Sequence, residues 1–309
     1  MYGRDLLSIA ELSPDELHML IQTAMSMKRD GSRPVLEGLT VAMLFEKPSL
    51  RTRVSFEVGM KQLGGSAIYL SQSEVGLGQR EPVKDVARVL SRYVACIVAR
   101  TYAQQTLYEL AESADVPVVN ALSDDEHPCQ ALADLLTVRE HKGHLDGVRI
   151  AFIGDGNNVA ASLAVACGLA GAEFVIASPD GYALPQEIVD SARGWAGKTG
   201  GAIEAVGAPE DAVRRADVVY TDAWTSMGQE ASYRQRLEAF TGYQVDDVLM
   251  SLAKPDAIFM HDLPAHRGEE VAEDVIEGAQ SVVFDQAENR LHAQKALLAA
   301  ILAGGESPA

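Results

Sequence analysis

The stretch LTVAMLFEKPSLRTRVSFEVGMKQL, residues 39–63, decides how this chain folds. Leu39 to Phe45 is an apolar run of strand character. Pro48 and Ser49 mark a turn, and the helix after it places Phe56, Met60 and Leu63 at i, i+4 and i+7. Gly64 and Gly65 stop that helix. Ser49, Arg51, Thr52 and Arg53 therefore crowd a first helical turn, where backbone N–H groups lack partners and the dipole is positive. Hydroxyls and guanidinia in that place make an anion site, with phosphate the best match. A capped helix with solvated arginines is the plainer reading of the same residues.

The alternation of strand and helix continues on both sides. Ser13 and Glu16 form a capping box that opens a helix to about Lys28. Ser66 to Leu70 is a short strand, and Ser71 to Glu81 a polar, glycine-bearing loop. Pro82 starts a helix with Val83, Val86, Ala87 and Leu90 on its inner face. Ala95 to Ala99 is a buried strand ending at Arg100, and Pro117 to Leu122 another. Proline suits a first helical turn and pushes the residue before it out of the helical region. His127 thus stands at a strand-to-helix junction, with Pro128, Cys129 and Gln130 opening a helix to about His141.

A second block begins at Val148. Arg149 to Asp155 is a strand, and GDGNNVAAS, residues 154–162, leads into a helix from Val159 to Ala170. The glycine spacing lacks the third glycine of a dinucleotide-binding turn, and no acidic residue ends the next strand. A tight strand–helix turn is the expectation, with no nicotinamide cofactor. Further strands are Phe174–Ala177, Ala202–Val206, Val218–Thr221, Ala257–Met260 and, last, Ser281–Asp285. The end, ENRLHAQKALLAAIL, is an amphipathic helix. The pattern predicts an α/β protein of two domains, each a parallel sheet flanked by helices. The expected division is residues 1–140 plus the C-terminal helix 288–309, against residues 141–287.

The 309 residues suffice for two cores, and 47% hydrophobic with 23% charged residues is ordinary for a globular protein. A formal charge of -18 repels nucleic acid and anionic membrane, so neither is an expected partner. An anionic substrate then needs a locally basic pocket. No apolar run is long enough to span a bilayer. The N-terminus lacks the basic, apolar and cleavage segments of a leader. Cys96, Cys129 and Cys167 are too few and scattered for a disulfide framework or zinc cluster, which suggests a reducing cytoplasm. No metal is expected; His141 and His144 read as a solvated helix end.

The polar clusters fall where strands end, and in a parallel sheet those ends share one edge. They separate by sign. The first block offers Ser49, Arg51, Thr52, Arg100, His127 and Gln130, donors for an anion. The second offers Asn158, Asp222, Ser226 and Asp262, acceptors for a cationic amine. This suggests two substrates, with an acyl or carbamoyl group passing from a phosphate to an amine. No serine or cysteine nucleophile with a paired base is evident, so direct transfer is expected.

FEKPSLRTRVSFE resembles the S-T-R-T-R signature of the aspartate and ornithine carbamoyltransferases. HPCQALADLLT is similar to their second signature, H-P-x-Q. DAWTSMGQE resembles the S-M-G loop of the ornithine-using members, and HDLPAHRGEEV their H-C-L-P segment. The four motifs keep the family's order, and the likeness runs essentially from end to end. It implies the carbamoyltransferase fold and carbamoyl transfer from carbamoyl phosphate to the side-chain amine of L-ornithine. The products would be citrulline and phosphate, in arginine biosynthesis or the catabolic arginine deiminase pathway. Ser49, Leu50, Arg51 and Thr52 would hold the phosphate, Leu50 through its backbone. Arg100, His127 and Gln130, with Pro128 and Cys129 in the same turn, would orient and polarise the carbamoyl group. Asp262, Leu263 and Arg290 would complete that site. Asn158, Asp222, Ser226 and Met227 would bind ornithine, with Arg100, His127, Asp222 and Asp262 the catalytic set. No metal or organic cofactor is implied. A homotrimer is implied, with residues 71–81 reaching a neighbour's site.

Three positions depart from the family. Leu50 replaces a threonine. The Gly76 region lacks a clear counterpart of a glutamine that contacts carbamoyl phosphate, although Gln72 and Gln79 are near. Asp262 stands where cysteine is usual. Asp262 reads either as a partner of Asp222 in taking up the amine's proton or as a turn cap. Asp222 and Arg290 have plainer readings as a loop cap and a solvated helix residue. His261 and His266 read as structural or solvated, Trp224 as packing, and Glu269 and Glu270 as first-turn acids of a helix. Another acceptor, such as putrescine or aspartate, and a catalytically silent binding protein are the competing expectations.

Overall fold

The computed structural model describes residues 1–225 and 230–304. It divides into two compact units, residues 1–136 with 288–304, and residues 137–287. The first unit contains strands β1 (Thr40–Phe45), β2 (Ser66–Ser71), β3 (Cys96–Arg100) and β4 (Val118–Leu122). Its helices include α1 (Pro14–Asp30), α2 (Leu50–Gln62), α3 (Gln72–Val75), α4 (Val83–Leu90) and α5 (Gln104–Ser113). Helix α6 (Pro128–Lys142) runs across the division. The second unit contains β5 (Arg149–Ile153), β6 (Glu173–Ala177), β7 (Ala202–Val206), β8 (Val218–Thr221) and β9 (Ile258–Met260). Its helices are α7 (Asn158–Ala170), α8 (Gln186–Thr199), α9 (Pro209–Val213), α10 (Tyr233–Ala239), α11 (Asp247–Met250) and α12 (Glu273–Ile276), with α13 (Val283–Leu302) crossing back into the first unit.

Both sheets are parallel. The first has four strands in the order β2-β1-β3-β4 and the second five in the order β7-β6-β5-β8-β9. Strands β1, β3, β4, β5, β6 and β8 are buried almost end to end. That is the signature of strands covered on both faces, and the edge strands β2 and β7 are more open. In each sheet the chain starts in the middle, builds one side, then returns to build the other. The strand order therefore reverses between β1 and β3, and again between β5 and β8. Ligands of open α/β sheets bind beyond the carboxyl ends at such switch points. Phe45 is paired with Arg100 there, and Ile153 with Thr221.

Glycine explains one turn of the second unit. A Cβ on Gly156 would stand 2.3 Å from the Leu184 nitrogen, so this position admits the 182–184 segment only because it has no side chain. Gly156 N also donates to the Tyr182 carbonyl at 2.8 Å. Gly156 of GDGNN thus serves packing.

Some expectations are corrected. Ser281–Asp285 is not a strand. Ser281 makes one bridge to Phe259, and Gln286 N already donates to the Val282 carbonyl at 2.9 Å in α13. The β-branched Val282 and Val283 mislead, because propensity over two residues yields to the helix that comes after them. The C-terminal helix therefore begins at Val283 and ends at Leu302, and residues 305–309 of the expected 288–309 segment lie outside the described residues. The 71–81 loop contains the short helix α3, with Ser71 N donating to the Glu74 carboxylate at 2.9 Å. Gln72 turns back onto the Leu77 carbonyl at 3.2 Å. Glu270 does not open a helix: it is fully buried ahead of α12. Among the described residues, no helix is long and apolar enough to cross a membrane.

Candidate active site

In the first unit, β1 ends in the turn that starts α2. Ser49 caps the helix, its Oγ accepting from Thr52 N at 3.2 Å. Such a cap is worth roughly 1 kcal/mol and fixes how the chain enters the helix. The Leu50 side chain is 76% exposed, so this residue offers the site only its backbone. Phe56 and Met60 are fully buried and hold the opposite face of α2. Arg53 points away, pairing with Glu57 at 2.9 Å and lying 4.0 Å from the Tyr69 ring centroid. Thr52 is buried, and its Oγ1 accepts from Arg290 Nη2 at 2.6 Å and from Ser49 Oγ at 3.0 Å. Arg290, on α13, is 3% exposed, so its reading as a solvated residue fails.

Arg100 ends β3 and is buried. His127 precedes α6 and is 2% exposed. Burial pushes the His127 imidazole well below its usual pKa, and the positive charges of Arg290, Arg100 and Arg51 add to the effect. A neutral imidazole beside three guanidinia is a field waiting for an anion. Gln130 Nε2 donates to Asp134 at 2.8 Å, and its buried Oε1 has no hydrogen-bond partner among the described residues. That oxygen is suited to accept from an N–H of a ligand. Cys129 is turned inward: its thiol donates to the Asn120 carbonyl at 3.4 Å, and burial raises its pKa to about 12. Cys129 and Pro128 therefore belong to the turn that carries His127 rather than to the reactive groups.

In the second unit, β5 leads to Asn157, which caps α7 by accepting from Val159 N and Ala160 N at 3.0 and 3.1 Å. The other end of the same amide donates to Asp222 Oδ2 at 2.7 Å. Asp222 Oδ1 accepts from Ala223 N at 2.6 Å. Asn157 thus ties the two strand ends of the switch point together, and the neighbouring Asn158 is the first residue of α7. Asp155 accepts from Arg236 Nη1 at 2.6 Å, and the same nitrogen donates to the Trp224 carbonyl at 2.8 Å. Burial raises the Asp155 pKa, the Arg236 charge opposes this, and Asp222 adds to the rise. Trp224 packs, stacked 5.4 Å from the Phe240 ring. Ser226 and Met227 lie outside the described residues.

The 261–270 segment has an internal frame. Leu263 N donates to His261 Nδ1 at 2.9 Å. That nitrogen is therefore the acceptor, the proton sits on Nε2, and Nε2 donates to Glu270 Oε1 at 3.1 Å. Both His261 and Glu270 are fully buried, and Glu270 also accepts from His266 N at 2.5 Å. This frame holds Leu263 at φ +61 before a cis bond to Pro264. A non-glycine residue in that region persists only when its surroundings enforce it. Asp262 is held in the same segment, with Oδ1 3.6 Å from His261 Nδ1 and a carboxylate oxygen within 4.8 Å of Asp222. Both His261 nitrogens are engaged, so the Asp222–His261–Asp262 group does not offer a metal a histidine ligand. Sequence reading missed the roles of Glu270, Asp155 and Arg236. Only Asp155, at a strand end, carried a signal.

Each unit matches a known family domain. The model described as "Aspartate/ornithine carbamoyltransferase, carbamoyl-P binding domain" matches residues 4–140, and "Aspartate/ornithine carbamoyltransferase, Asp/Orn binding domain" matches residues 146–301. The chain belongs to the aspartate/ornithine carbamoyltransferase family. It is 52% identical over 307 residues to the ornithine carbamoyltransferase of Bacillus subtilis (strain 168), covering 99% of this chain and 96% of that one. The anabolic ornithine carbamoyltransferase of Pyrococcus furiosus is 50% identical over 306 residues, covering 98% and 97% of the two chains. The solved structure of ornithine carbamoyltransferase from Pyrococcus furiosus superposes with a TM-score of 0.95 at 50% identity, covering 99% of both chains.

Proposed function

We propose that this chain transfers the carbamoyl group of carbamoyl phosphate to the side-chain amine of L-ornithine, releasing L-citrulline and phosphate. The observation that carries the reading is the buried, neutral His127 among Arg51, Arg100 and Arg290. The helix start at Ser49, Leu50, Arg51 and Thr52 receives the phosphate, with Arg290 bracing Thr52. The carbamoyl oxygen takes up negative charge as the amine nitrogen bonds to the carbonyl carbon. Arg100 and His127 stabilise that charge, and the Gln130 oxygen accepts from the carbamoyl amide. The C–O bond to phosphate then breaks, and phosphate leaves with its electron pair. Asp222 faces the cationic amino groups of ornithine with Asn158, Ser226 and Met227. The attacking amine must first be neutral, and Asp222 with Asp262 takes up its proton. Leu263 presents its backbone to the carbamoyl group. No metal or organic cofactor enters this mechanism.

The direction we favour is anabolic, toward arginine, because the Pyrococcus furiosus relative is named so. We also propose a homotrimer in the cytoplasm. Leu50, Val54 and Val58 form an exposed apolar stripe along α2, Ile68 on the edge strand β2 is exposed as well, and such apolar surface suits a second copy of the chain. Sedimentation of the purified protein tests the assembly. A citrulline assay with ornithine, putrescine and aspartate as alternative acceptors tests the activity. Carbamoylation of aspartate alone would overturn our reading of the second unit. Tight binding of carbamoyl phosphate without turnover of any amine would overturn the enzymatic reading.

A further inference from the structure

The buried amide of Gln104 lies behind the turn that carries His127. Gln104 opens α5 and is 8% exposed. Its Oε1 accepts from Ser123 Oγ at 2.5 Å and from Asn120 Nδ2 at 3.3 Å. Its Nε2 donates to the Leu7 carbonyl at 3.1 Å, which also accepts from Asn120 Nδ2 at 2.9 Å. Ser123 is the hinge of this set. Its Oγ accepts from Glu126 N at 3.0 Å and Asp125 N at 3.3 Å, and Ser123 N donates to the Glu126 carbonyl at 2.8 Å. Residues 123–126 are thereby closed into a turn, and the next residue is His127. Lys47 holds the same turn from outside by pairing with Asp124.

We propose that Gln104 is a positioning residue for carbamoyl transfer: through Ser123 it sets the turn that aims His127 and Gln130 at the carbamoyl group. The inference rests on the function proposed for this site. Three features argue for it over a purely structural tie. The amide is neutral, so it aligns donors and acceptors without adding to the field of the three arginines. Its oxygen meets the hydroxyl on which the turn closes, not a remote part of the fold. The phosphate-binding residues sit on a different turn, after β1, which meets this one through Lys47 and Asp124, whereas the Gln104 amide bonds to Ser123, Asn120 and Leu7. Small misplacements of such a group reduce rate steeply, on the order of 100-fold for about 1 Å.

The test compares Gln104→Leu, Ser123→Ala and Ser123→Thr in the full-length enzyme. Gln104→Leu and Ser123→Ala are expected to lower kcat by roughly 10- to 100-fold. The inhibition constant of inorganic phosphate and the KM for ornithine should remain within about twofold of the parent. Ser123→Thr keeps the hydroxyl and should restore most of kcat. The double variant Gln104→Leu/Ser123→Ala should be little worse than either single one, because both act through one network. An unchanged kcat in a folded Gln104→Leu protein overturns the proposal. So does a loss that scales kcat, phosphate affinity and melting temperature together, which marks a structural role. Should Gln104→Leu not fold, the Ser123→Ala and Ser123→Thr pair decides. If the parent makes no citrulline, the proposed function fails, and phosphate binding by calorimetry still reports whether the grip is intact.

Discussion

The two switch-point sites use the same architecture for opposite charges, and their helix caps differ. In the first unit β1 turns directly into α2, and the Ser49 hydroxyl takes the Thr52 N–H. Arg51, Arg100 and Arg290 add to the positive end of the helix. In the second unit Asn157 takes two N–H groups of α7, Val159 and Ala160, and turns its own amide onto Asp222. Asp222 directly follows β8, and residues 222–225 after that strand are not helical. The two switch points thus differ in the charge gathered at their strand ends and in how many helix donors the cap consumes.

The sharpest break of this contrast is Asp222→Asn. It removes the charge that the second site is built around, and kcat with ornithine should fall by about 1,000-fold while phosphate inhibition persists. Steady-state kinetics with phosphate as inhibitor measures both. His127→Gln should lower kcat by roughly 100-fold, the cost of one preorganised donor at a developing oxyanion, with ornithine KM little changed. If instead ornithine KM carried the loss, His127 would belong to the acceptor side and the division by sign would fail.

Smaller effects sharpen the role of the frames. Glu270→Leu strands the buried His261 N–H and the His266 amide, and should cost about 1–3 kcal/mol of stability by denaturant unfolding. It should also raise ornithine KM by loosening the 261–264 segment, whereas Glu270→Gln keeps an acceptor and should do less. Asp262→Asn should lower kcat by about tenfold and alter its pH profile if Asp262 shares the amine's proton. Near-parent activity with an unchanged profile assigns Asp262 to the turn alone.

Acid stability gives the subtlest test. The folded His127 pKa lies below 6.5, so below that pH the unfolded chain binds a proton that the folded chain does not. Stability present above pH 6.5 is therefore lost as pH falls toward the folded value, by up to about 1.4 kcal/mol per pH unit from this group. The slope of melting temperature against pH should be shallower in His127→Gln; an equal slope would mean that His127 is not held neutral by burial and the arginines.

The parallel sheets were legible because strands covered on both faces write long apolar runs, and helices between them write a 3.6-residue period. Most strand boundaries fall within one or two residues of those expected; Ser281–Asp285, where a short β-branched run met a long helix, and the 71–81 segment, which contains α3, depart from them. The places of Ser49, Arg100, His127 and Asp222 near strand ends were legible for the same reason: local sequence sets them. Gln104, Arg236 and Glu270 were not. Gln104 and Arg236 act through partners far along the chain, 19 residues from Gln104 to Ser123 and 81 from Arg236 to Asp155, and Glu270 acts through the buried His261. Cys129 shows the converse, since its place in a motif suggested a ligand contact and burial against Asn120 turned it inward.

The sequence alone thus determined where the strands of the two parallel sheets fall, the charges gathered near their ends and the family. Tertiary structure decided which polar groups support them. Periodicity and capping are local properties of neighbouring residues, whereas a buried hydrogen bond exists only once distant segments have removed its groups from water. The helix start at Ser49 needed only its own turn to be read; the amide behind His127 needed the whole unit.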